Sequence, residues 1–214
     1  MKHTILPIVA ILSSACFISN VSSEESSSLS ANIGLVSQYH FRGIQQTGGA
    51  STSVGLDYES GSVSVGTWAA DVQDGLEVDL YGAYAFEIND ASSFSVGFTS
   101  YQYTGDFDSA YNEINLGYTM SDFEASYSIG KWDGVVGNES ATEGNYTILT
   151  LAYTAGSFTG TIGVYGDDAE GEYFDLSYGA EIGGFDIGVG LLVSGSDLND
   201  DESLYFSFGK EFDL

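Results

Sequence analysis

From residue 31 onward the chain alternates apolar side chains with small or polar ones at a period of two, and nothing in it sustains the 3.6-residue period of a helix. The first alternating segment, 31–42, places Ile33, Leu35, Tyr39 and Phe41 on one face and Asn32, Gly34, Gln38, His40 and Arg42 on the other. Thr52, Val54, Leu56 and Tyr58 continue the pattern, and Leu76, Val78, Leu80, Tyr84 and Phe86 repeat it at greater length. The last segment, Leu204, Phe206, Phe208 and Phe212, alternates almost to the final residue. Counted along the chain there are twelve such segments, so the expectation is an all-β fold of about twelve strands.

Alternation alone does not say which face meets water, because a secreted β-sandwich shows the same pattern with its apolar face turned inward. Connection length separates the two readings. The joints at Ser60-Gly61, Asn89-Asp90, Ser121-Asp122, Ala155-Gly156 and Gly183-Gly184 are tight. The intervening ones, at 43–49, 71–75, 102–110, 133–145, 167–171 and 195–202, are longer and mostly acidic. Short periplasmic turns alternating with longer extracellular loops are what a transmembrane antiparallel up-and-down β-barrel requires. Rings beside the tight joints, among them Tyr58, Tyr84, Phe86, Phe158 and Tyr178, would form a girdle at one membrane interface. Tyr39, Phe41, Phe98, Phe174 and Phe206 would form a sparser rim opposite. Lys210 falls on the lipid-facing row, where its long stem allows the ammonium to reach the interface.

Composition narrows the partners. The chain has 31 acidic and 4 basic residues, a formal charge of −27, which excludes nucleic acid because phosphate binding needs clustered Lys and Arg. A hydrophobic content of 43% and an aromatic content of 14% exclude a disordered acidic tail. One Cys and 2 His offer neither a disulfide framework nor a metal site, and no cofactor is expected. Residues 1–23 read as a signal peptide: a basic start at Lys2, an apolar run from Ile5 to Ile18, and small residues at 21–23. Lipidation at Cys16 is the rival reading of this stretch. Residues 24–30 then form a polar leader, and 31–214 the barrel.

Three pieces of the chain, 37–44 (Ser-Gln-Tyr-His-Phe-Arg-Gly-Ile), 66–68 (Gly-Thr-Trp) and 77–84 (Glu-Val-Asp-Leu-Tyr-Gly-Ala-Tyr), resemble the TorF family of porins, also described as the Gcw conserved hypothetical family. The remainder matches in rhythm and length only. The resemblance implies a Gram-negative outer-membrane barrel acting as a porin, and it supplies no substrate. Lipid, lipopolysaccharide and, through the aromatic last strand, the barrel-assembly machinery are the implied surroundings.

With lipid on the apolar face, the alternate residues line a lumen that would pass small solutes or cations. Its pore-lining candidates are Asp57, Glu77, Asp79, Glu113, Glu124, Asp175, Glu181 and Asp186, opposed by Arg42 and His40. A carboxylate wall concentrates cations, so a conducting barrel should prefer them. Up-and-down order puts Arg42 at the outer end of the first strand, level with Glu77, Asp79 and Glu113, as a constriction or a wall-fixing ion pair. Two alternatives stay open: a lumen filled by hydrogen-bonded carboxylates, and a non-conducting structural or adhesin-type barrel with acidic loops. Enzymatic chemistry is not expected, since His40 is the only His outside the signal stretch and no Gly-x-Ser-x-Gly elbow is present.

Overall fold

The structure, a computed structural model, describes residues 27–135 and 141–214. The signal peptide and the Cys16 alternative lie outside the described residues. Among the described residues there are fourteen strands: β1 (Ser27–Val36), β2 (His40–Phe41), β3 (Ile44–Gln45), β4 (Ser51–Ser60), β5 (Val63–Val72), β6 (Gly75–Asn89), β7 (Ser92–Tyr103), β8 (Tyr111–Met120), β9 (Phe123–Trp132), β10 (Gly144–Ala155), β11 (Phe158–Asp167), β12 (Glu172–Ile182), β13 (Phe185–Ser194) and β14 (Glu202–Asp213). Twelve of them form one closed antiparallel barrel, with β1 paired to β4 on one side and β14 on the other. Closure leaves no edge of this twelve-stranded wall unpaired, as a spanning sheet in hydrocarbon must. Strands of 10 residues and more reach the 9–11 that a tilted strand needs to cross a bilayer.

The wall is inside out relative to a water-soluble protein. Val54, Ile162 and Phe206 are 57%, 50% and 56% exposed, whereas Glu77 and Asp79 are fully buried. An apolar belt this continuous is the surface that lipid covers. On it, Lys210 lies over the rings of Phe185 and Phe212, with Nζ 4.7 Å and 5.3 Å from their centroids, so the cation rests on aromatic faces at the end of the wall.

Strand bounds depart from the sequence reading in three places. Pairing in β1 begins at Ser27, inside the stretch read as a polar leader, because ladder bonds to β4 and β14 use the backbone and do not require apolar side chains. The connection at 71–75 is not a long loop: β5 and β6 run to Val72 and Gly75, and Gly75 supplies the positive φ of 106° for the turn. The largest departure concerns 31–42. The wall strand stops at Val36, and Tyr39, Phe41 and Arg42 belong to a segment, 37–50, that turns into the barrel. Within it β2 and β3 pair as a small hairpin of their own, Phe41 opposite Ile44. Alternation continued through Phe41 because a second, inner strand follows the first.

Two apolar clusters flank this hairpin. Tyr39 packs with Val36, Ala70 and Val72, against Phe41, Trp68, Tyr103 and Phe107. On the other side Ile44 and Tyr165 pack against Ile148, Tyr173, Leu192, Leu198 and Tyr205, Leu198 coming from a 3-10 turn, Ser196–Leu198. Both clusters lie at the end of the barrel that carries the longer connections. Toward the two-residue joints the inner face narrows to small side chains such as Ser64, Gly97, Gly117, Ser126, Thr161 and Gly188. The inner face therefore carries large rings at one end and mostly small side chains at the other.

Candidate functional site in the barrel lumen

The hairpin turn has both central residues at positive φ, Arg42 at 49° and Gly43 at 87°. That is the pattern of a two-residue hairpin turn whose twist matches the flanking strands. Gly43 has no substitute there, since a Cβ would also overlap the Tyr173 ring. The turn's two carbonyls are held by the wall, Arg42 O accepting from Tyr165 Oη at 3.1 Å and Gly43 O from Ser194 Oγ. At the hairpin base Tyr39 N donates to Thr47 Oγ1 at 2.9 Å, and Gln46 N to Tyr39 O at 2.8 Å.

From this anchored turn Arg42 reaches Glu113 on β8. Its Nη1 and Nη2 donate to the two carboxylate oxygens at 2.5 Å and 3.1 Å, and Nη2 also reaches Ser128 Oγ on β9 at 3.3 Å. Glu113 accepts two further hydrogen bonds, from Tyr101 Oη at 3.1 Å and Tyr146 Oη at 2.7 Å. A buried carboxylate with one bidentate cation and two hydroxyls is fully satisfied.

The other acidic candidates fall into three groups, and His40 stands apart from them. Glu77 joins the hairpin site through Tyr39, whose hydroxyl donates to Oε1 at 2.9 Å, and buried Asp79 lies on the same strand opposite Trp68 and Tyr101. Asp57 and Asp175 are each met by a tyrosine, Asp57 Oδ1 by Tyr81 Oη at 2.5 Å and Asp175 Oδ2 by Tyr205 Oη at 2.8 Å. Glu124, Glu181 and Asp186 stand toward the two-residue joints, with Glu181 and Asp186 directly opposite each other, a like-charge pairing that costs stability. His40 is buried on the hairpin, its ring centroid 5.8 Å from that of Tyr205, and burial lowers its pKa while the Asp201 charge pulls the other way. Arg42 thus does not stand at the outer end of a wall strand. The inturned hairpin carries it into the lumen, and the strands bring Glu113 to it.

The sequence reading missed the tyrosines. Tyr81, Tyr101, Tyr146, Tyr173 and Tyr205 all point inward, and four of them lie over a glycine directly opposite on the neighbouring strand: Tyr81 over Gly66, Tyr146 over Gly130, Tyr173 over Gly163 and Tyr205 over Gly190. A Cβ at any of these glycines would overlap the ring. Parity was the available signal, since Tyr81 shares its face with Glu77 and Asp79, and Tyr173 with Asp175.

A family model described as "Bacterial protein of unknown function (Gcw_chp)" matches residues 21–210. The chain belongs to this family. No curated protein matches it. Among solved structures, this Gcw_chp chain is similar to one described as "Unveiling the Mechanism Behind the in-meso Crystallization of Membrane Proteins", with a TM-score of 0.63 at 12% identity over 87% of this chain and 84% of the other. It is also similar to one described as "KdgM porin", with a TM-score of 0.57 at 10% identity over 86% of this chain and 99% of the other. At these identities the likeness is one of fold: the Gcw_chp barrel has the twelve-stranded architecture of a porin structure.

Proposed function

We propose that this protein is a bacterial outer-membrane porin-like channel for passive diffusion of small solutes, narrowed by the inturned hairpin and preferring cations. The observation that carries the reading is the barrel's two-sided wall: apolar outside, and inside a polar surface crossed by a hairpin that it grips through charge-assisted hydrogen bonds. The resemblance to TorF-family porins and the fold shared with the KdgM porin structure support it. The charge balance within the lumen supports cation preference: Glu113 neutralises Arg42, while Asp57, Glu124, Glu181 and Asp186 are without a described ion pair. A catalytic role is not part of the reading; His40 is packed into the hairpin site, where its neighbour is the Tyr205 ring.

Orientation completes the proposal. The joints at 61–62, 90–91, 121–122, 156–157 and 183–184 would face the periplasm and the acidic connections the exterior, where divalent cations would bridge them to lipopolysaccharide. Assembly would proceed through the aromatic last strand. The second reading, a non-conducting barrel presenting acidic loops, draws on the two apolar clusters packed around the hairpin. Reversal potentials in planar bilayers under a potassium chloride gradient separate them. A cation-signed potential is expected; an anion-signed one would overturn the preference, and absence of conductance would favour the second reading.

A further inference from the structure

The tip of the lumenal hairpin sits in its own barrel as a ligand sits in a binding site. The Arg42 and Glu113 side chains are 9% and 0% exposed, so the pair is almost dry. The guanidinium fork is matched oxygen for oxygen by the Glu113 carboxylate, with Ser128 Oγ as an extra acceptor and the Phe41 ring 4.9 Å from Cζ. Tyr101 and Tyr146 hold the carboxylate from its other sides. A planar bidentate acceptor beside an aromatic face selects a guanidinium over a compact ammonium, which would use one oxygen and gain less from the ring. Tyr101, Glu113, Ser128 and Tyr146 all belong to wall strands, so the acceptor half of the cage persists wherever the hairpin goes.

The turn supplies an independent observation. Arg42 has a φ of +49°, a conformation a long side chain seldom adopts and one in which Asn followed by Gly is the favoured hairpin sequence. Backbone preference alone would put Asn at this position. What arginine adds is the guanidinium, at the expense of local strain of the kind stored at ligand clamps.

We propose that the Glu113 cage is a recognition site for guanidinium-bearing solutes, occupied in the resting barrel by Arg42, which an incoming solute displaces. The inference rests on the channel reading only in requiring that such solutes enter the lumen. Because Arg42 is tethered, it competes at an effective concentration of roughly millimolar or above, and a free solute exchanges with it at comparable concentrations.

The test uses the full barrel in detergent, with folding checked by heat-modifiable gel mobility. Arg42→Asn keeps a residue suited to the turn and vacates the cage. Titration calorimetry with ethylguanidinium should show saturable binding to R42N, at least tenfold weaker binding to the R42N/E113Q double variant, and at least tenfold weaker binding to the wild type, in which Arg42 competes. Ethylammonium should bind R42N at least tenfold more weakly than ethylguanidinium. Equal binding to R42N and R42N/E113Q, or to R42N and the wild type, would overturn the proposal, because the solute would then sit elsewhere. Failure of the channel reading looks different: bilayers without conductance, while the calorimetric contrast remains.

Discussion

At the scale of single residues, tyrosine hydroxyls and one arginine allow carboxylates to line a largely water-poor end of the lumen. Glu113 shows the cost of disturbing this. Arg42→Ala would leave its carboxylate buried without a cation, and breaking a buried pair in this way costs about 3–5 kcal/mol. Thermal unfolding of the detergent-solubilised barrel should register that loss, and R42A/E113Q should recover part of it; equal melting of R42A and the wild type would contradict the pairing. The cross-strand Tyr–Gly contacts give a second expectation. Gly163→Val would force the Tyr173 ring aside and destabilise the barrel by about 1–3 kcal/mol, as overpacking generally does. An unchanged melting temperature would show that the ring is not confined.

His40 supplies a pH dependence. Its folded-state pKa lies below the ordinary 6.5, with burial the main cause, so below that value the released hairpin binds protons more readily than the docked one. Docking should therefore weaken as pH falls through 6.5 toward the lowered value, and be at full strength above 6.5. Protease cleavage of the hairpin should rise between about pH 7.5 and about pH 5.5 in the wild type and rise less in His40→Gln. An identical rise in both proteins would assign the effect to another group.

At the scale of elements, the wall and the hairpin differ in how legible they were. The alternation of Ile33 and Leu35, or of Leu204, Phe206 and Phe208, is dictated by a strand with lipid on one side, and those segments are wall strands in the structure. The same alternation through Tyr39 and Phe41 is equally good for a strand with lumen on every side, and periodicity does not distinguish the two environments. The local cue is Arg42-Gly43, a turn pair between His40-Phe41 and Ile44-Gln45, which reads equally well as the end of a wall strand. Glu77, Asp79 and Glu113 were readable as lumenal from parity. Their tyrosine partners are less legible, because rings serve a membrane interface as well as a lumen and only parity places Tyr101 and Tyr146 inside.

At the scale of the whole molecule, most acidic residues of the described chain fall either on the connections or on the inner face of the barrel. On the proposed reading, a lumen acidic toward one end, and filled at the opposite end by residues 37–50, would be a channel whose limiting section is one hairpin. Porin-like conduction requires only that this section leave a water path or yield one. The backbone bond from Gln46 N to Tyr39 O brings the ends of the hairpin together, so 40–45 can be replaced by Asn-Gly without stretching the chain. The most direct measurement is single-channel conductance in planar bilayers for the wild type and for this shortened barrel, side by side. Ion-conducting steps in both, larger in the shortened barrel and cation-selective, are the predicted result; silence in both, or identical steps in the two, would contradict a channel limited by its hairpin.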